Sequence, residues 1–141
     1  LRLSQISTTL LFLSKIVSLM AILLALEALL IVPLVLMFDL KNLTLPSLLW
    51  GALIGFLTAW GFALIGSLLT AVAGKSSAKE LILPLVLLPI LSPLFIAASE
   101  AGMLLGNPAE EFFSWLRLMV VFDVVMGVCG WWLFETVLET N

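Results

Sequence analysis

The sequence predicts an all-α polytopic membrane bundle with about four transmembrane helices, on three observations. Hydrophobic residues make up 63% of the 141 and charged residues only 11%, too little polar surface to solvate a globule of this size. The apolar stretches are continuous and leucine-rich, without the alternation of a barrel strand. Backbone groups in lipid must be bonded within their own segment, which leaves helices. At about 20 residues per span, the chain has room for four spans and little else, so residues 1–141 read as a single transmembrane domain.

Residues 1–15 mix Arg2, Lys15 and several hydroxyls with leucines, as an interfacial segment leading into a membrane helix does. The first span is expected over 16–38. Asp39, Lys41, Asn42 and Pro46 form a polar turn before the second, over 48–73. GKSSAKE at 74–80 is the next turn, and the third span covers 81–99. That span holds Pro84, Pro89 and Pro93, each removing a backbone donor and crowding the preceding turn, so it is expected to bend or break and is a candidate hinge. Asn107 followed by Pro108 resembles an N-cap with proline at the first helical position, and Glu110 and Glu111 complement the helix dipole. A helix from Pro108 to Thr136 is roughly 43 Å long, more than the roughly 30 Å of hydrocarbon. Its outer turns therefore stand at the interface, and the span proper covers 113–134.

Arg2, Lys15, Lys75 and Lys79 fall on one side, against Lys41 and Arg117 on the other. The positive-inside bias then places the N-terminus in the cytoplasm. Trp50 and Trp115 fall near one predicted boundary and Trp131 and Trp132 near the other, as aromatic anchors.

Two acids fall inside spans. Glu27 is central in the first, where a charged side chain costs roughly 2.5 to 3.5 kcal/mol on insertion scales. It is expected to face the bundle interior, either lining a path or carrying a proton, or bracing helices through a hydrogen bond. Asp123 lies inside the last span, with Arg117 six residues earlier on a different face and so no obvious ion partner. It too is a candidate for a pathway or the bundle interior. The second span carries Gly51, Gly55, Ala59, Ala63, Ser67 and Ala71 at every fourth position. Such a stripe lets another helix backbone approach closely, within the chain or across a homodimer.

Other chemistry is absent. There is no histidine, and lone Cys129 reads as a small packing residue, so the chain cannot build the familiar zinc sites or a histidine-ligated heme site. No metal ligand set is expected, nor any directly bound cofactor. The small, scattered net charge of -3 points to no nucleic-acid partner. GKSSAKE lacks the upstream glycine of a phosphate-binding loop, so ATP chemistry would reside in a partner. No nucleophile stands with a general base, and the chain is not expected to be an enzyme.

Three segments carry a resemblance: LALEALLIVPLVLMFDL at 24–40, AGKSSAKELILPLVLLPILSPLFIAA at 73–98 and FDVVMGVCGWWLFETVLE at 122–139. In order and spacing they resemble heme exporter protein B, the permease subunit of the cytochrome c maturation ABC transporter. The resemblance implies a six-helix ABC-2-type permease of the bacterial inner membrane, of which this chain supplies the last four helices and lacks the first two. It implies a partner ATP-binding subunit, other cytochrome c maturation membrane subunits including a heme-handling one, and heme or a heme-loaded chaperone as cargo. Arg2, Ser4 and Gln5 would follow the segment that docks on the ATPase. Two rival functions are a membrane assembly scaffold that transports nothing and an ion-coupled carrier that uses Glu27.

Overall fold

In the computed structural model, which describes residues 8–37, 44–73 and 79–139, the chain forms four helices. They are α1 (Thr8–Met37), α2 (Leu45–Ala73), α3 (Lys79–Met103) and α4 (Glu110–Glu139). All four are long and apolar enough to cross a membrane, and the chain is a helical membrane protein. At 1.5 Å per residue the 30 residues of α1 reach about 45 Å, enough to span the hydrocarbon and enter both interfaces.

The helices begin and end differently from the sequence reading. α1 starts at Thr8, well before the expected Ile16, so the segment assigned to the interface is already helical there. α2 starts at Leu45 because Thr44 caps it: the Ser47 amide donates to Thr44 Oγ1 at 3.4 Å, and the Thr44 and Ser47 hydroxyls bond at 2.8 Å. Ser47 Oγ also donates to the Leu105 carbonyl at 3.2 Å, which ties the start of α2 to the turn between α3 and α4. Substituting Ser47 by alanine is expected to cost about 1 kcal/mol, measurable as a lower midpoint in detergent unfolding. An unchanged midpoint would mean that the tie contributes nothing.

Of the bend or break expected in the third span, the break is not there. α3 is one unbroken helix through all three prolines, and α1 likewise runs through Pro33. A proline forfeits one backbone bond, whereas a break in lipid leaves several amides and carbonyls without water to bond them. Pro89 and Pro93 point outward while Leu91, Leu94, Ala97 and Ala101 are fully buried. The inward face thus packs undisturbed by the two prolines. At the far end, α4 begins at Glu110 and not Pro108, with Phe112 N donating to the Ala109 carbonyl to close its first turn.

α2 is the hub. It packs against α1, α3 and α4; α3 also packs on α4, α1 meets α4 more briefly, and among the described residues α1 and α3 do not meet. Two cores result, one on each side of α2. Ile54 and Ile65 of α2 join Leu91, Leu94, Ala97 and Ala101 of α3 and Phe112 and Met119 of α4. On the other side Ala63 and Leu64 pack with Phe12, Ile16 and Met20 of α1. Large apolar side chains elsewhere face outward along all four helices, the exterior a bilayer requires.

The tryptophans are unequal. Trp131 and Trp132 are exposed, as anchors are. Trp50, by contrast, is half-buried and sits edge-on to Phe112 and Phe113 at 5.3 and 5.6 Å. Trp115 is also half-buried, its Nε1 without a partner among the described residues. The second pair therefore packs into the bundle as well as marking its end. Cys129 corrects the sequence reading: it lies on the exterior and fills no interior gap.

Candidate functional site

Every polar side chain held within the membrane must find a partner or its own backbone. On α2 the hydroxyls turn back on their own helix. Thr58 Oγ1 donates to the Ile54 carbonyl at 2.8 Å, Ser67 Oγ to Leu64 at 2.9 Å and Thr70 Oγ1 to Gly66 at 2.6 Å. Ser67 is thereby fully buried at no unmet polar cost. The same device is closed to the acids, which when ionised have nothing to donate.

Both acids turn toward α2, and each meets a glycine. A Cβ on Gly55 would stand 2.8 Å from Glu27 Oε2, so the Glu27 carboxyl occupies the space a side chain there would fill. A Cβ on Gly61 would collide with Asp123 Oδ1 and stand 2.6 Å from Leu94 Cδ2. Six residues separate the two glycines, about 9 Å along the helix axis. The acids therefore meet the middle of α2 at different heights, Glu27 from α1 and Asp123 from α4.

Their surroundings differ. Glu27 is half-buried in the seam between α1 and α2. Asp123 is 5% exposed, and both its carboxyl oxygens are buried with no hydrogen-bond partner among the described residues. Arg117 on the same helix is exposed, on a different side from the inward Asp123. Asp123 lines an open groove of about 270 Å³ between α2 and α4, whose other walls are Phe56, Leu57, Trp60, Val120 and Val124. Phe56 and Trp60 stack at 6.3 Å with their rings 15° from parallel. A second groove, of about 290 Å³ between α1 and α2, gathers Ser14, Lys15, Ser18, Ser67 and Thr70 toward the end where α1 begins.

The small-residue stripe serves a contact inside the chain. Ala59, Ala63 and Ser67 are buried, Gly51 and Gly55 partly so. Gly55 receives Glu27 and Ala63 joins the α1 core, so much of the stripe is the seam with α1, while Gly51 lies 3.7 Å from Leu105. The side chains of Ala71 and Pro84, and Arg2, Ser4 and Gln5 with them, lie outside the described residues. Among the described residues no three His, Cys, Asp or Glu side chains gather as a metal site requires.

Gly61, the seat of the Asp123 carboxyl, is the contact position that the sequence did not single out. It lies two residues after Ala59 and thus on the opposite side of α2 from the stripe. The signal was a buried acid on one span and an isolated glycine at matching depth on another. No family model, curated protein or solved structure matches the chain.

Proposed function

We propose that this membrane protein is the permease subunit of an ABC transporter of cytochrome c biogenesis, taking part in heme export or in release of a heme-loaded chaperone. A partner ATPase supplies the energy, and the chain itself catalyses nothing. The observation that carries the reading is the succession of the three resembling segments along α1, α3 and α4, with the acids of the first and last both seated on α2. A bundle with carboxyls inside, held by glycine contacts and not by ion pairs, has polar groups whose partners can change between two packings. The bacterial inner membrane and a cytoplasmic N-terminus complete the reading, the latter from the lysine and arginine distribution. The ATP-binding subunit then acts from the side where α1 begins.

Copurification tests it. The full-length protein is expected to copurify with a nucleotide-binding subunit. A partner unable to hydrolyse ATP should still assemble but abolish maturation of c-type cytochromes. Maturation that persists with the dead ATPase would favour a scaffold that transports nothing. Glu27→Gln separates the reading from an ion-coupled carrier: an ABC permease keeps at least about half its activity, because the amide still fits over Gly55, whereas a carrier that uses this proton loses nearly all of it.

A further inference from the structure

We propose that the groove between α2 and α4 is a binding site for a lipophilic organic cation, an amine or quaternary onium ion whose charge Asp123 neutralises. Asp123 is both a wall of this groove and an acid whose oxygens have no partner among the described residues. A carboxyl at such depth without a donor is a group awaiting one. None of the other groove-lining residues is charged, and the indole N–H of Trp60 is the one polar group among them, so a countercharge to the carboxylate has to arrive from outside. Glu27 approaches α2 at Gly55 from α1, and Arg117 is exposed, so neither competes for the carboxyl.

The remaining walls suit the same class of ligand. Phe56 and Trp60 present stacked rings beside the acid, and aromatic faces attract cations most strongly where water is excluded. Their apolar neighbours Leu57, Val120 and Val124 favour hydrocarbon substituents over a hydrated metal ion. The groove opens outward past the exposed Phe56, Val120 and Val124. An amphiphilic cation enters sideways from the bilayer and leaves its bulkier substituents there. The carboxyl rests against Gly61, where the missing Cβ leaves room for it. Rotation about the Asp123 side chain then brings it to the cation. The site does not draw on the ABC reading, and under that reading it requires that the two further helices leave this groove open.

The test is equilibrium binding of tetraphenylphosphonium to the protein in lipid nanodiscs, with empty discs as the background and tetraphenylborate as an anion of like size. The wild type is expected to bind the cation saturably and to ignore the anion. Asp123→Asn weakens binding at least about tenfold, because the cation then enters an apolar groove without a countercharge. Trp60→Leu weakens it about three- to tenfold with the carboxyl intact. Glu27→Gln leaves it within about twofold, since that carboxyl meets α2 elsewhere. Should Asp123→Asn fail to fold, the Trp60 variant decides. Absence of saturable binding, equal binding of the anion, or a folded Asp123 or Trp60 variant with unchanged affinity overturns the site. So does a Val124→Cys protein, in a Cys129→Ser background, that crosslinks to a second copy in intact membranes while the wild type takes up no cation. The groove would then belong to a helix of that second copy.

Discussion

Gly61→Val destabilises the bundle by about 3 kcal/mol, the upper end of what overpacking a close contact costs. Asp123 Oδ1 and Leu94 Cδ2 already fill the position its branched side chain needs, so both side chains must leave their rotamers together or α3 and α4 must move apart. Loss of folded protein in SDS or thermal titration is the measurement. Two companions show whether the contact is the cause. Gly51→Ala meets only Leu105 Cδ1 at 3.7 Å, an ordinary contact, and should be neutral or gain up to about 1 kcal/mol from helix propensity. Combining Gly61→Val with Asp123→Ala recovers part of the loss and leaves the part due to Leu94, a non-additivity expected of touching residues. Full additivity of the two changes would show that the carboxyl and the glycine do not oppose one another.

Asp123→Ala acts in the opposite direction on stability, and under the proposed permease function it abolishes transport. Removing a buried carboxyl that has no donor relieves a desolvation penalty of about 1 to 3 kcal/mol, against a smaller loss of packing from three heavy atoms. The variant is therefore expected to unfold at a higher denaturant midpoint than the wild type and, under the proposed permease function, to lower cytochrome maturation to background. A less stable Asp123→Ala protein would mean that the carboxyl has a bonding partner, and retained maturation would remove Asp123 from the transport cycle. Glu27, half-buried in its seam, should show a smaller stability change on truncation.

Helix number was legible because continuous apolar stretches bounded by short polar turns leave few alternatives in lipid. The α1 contact was half legible: the four-residue spacing of Gly55, Ala59, Ala63 and Ser67 marks a seam, and nothing in the sequence names its partner. Apart from that stripe, large apolar side chains occur on every side of α1, α2 and α3, so hydrophobicity alone does not separate the face that packs from the face that meets lipid. Exposed Leu29 and buried Leu91 look alike on the page. The prolines misled for a physical reason. Rules learned in water weigh one lost hydrogen bond against solvated alternatives, and in the bilayer those alternatives are worse. Asp123 stood out by depth alone, but its seat on Gly61 follows from α2 and α4 lying side by side, which is a tertiary fact.

The contacts around α2 also set an order of assembly. Neighbours in sequence, α1 with α2 and α2 with α3, can pair as soon as each hairpin has left the translocon. The contacts of α4 with α1 and α2 join segments far apart in the chain, and they must wait until α4 has been made. Until then Gly61 lacks the carboxyl that covers it, and both cores lack the side chains α4 brings: Phe112 and Met119 for one, the backbone at Gly130 that meets Phe12 for the other. α4 thus closes the contacts among these four helices. A chain released before it is made leaves α2 with one flank open to lipid, the state that membrane quality control has most reason to recognise.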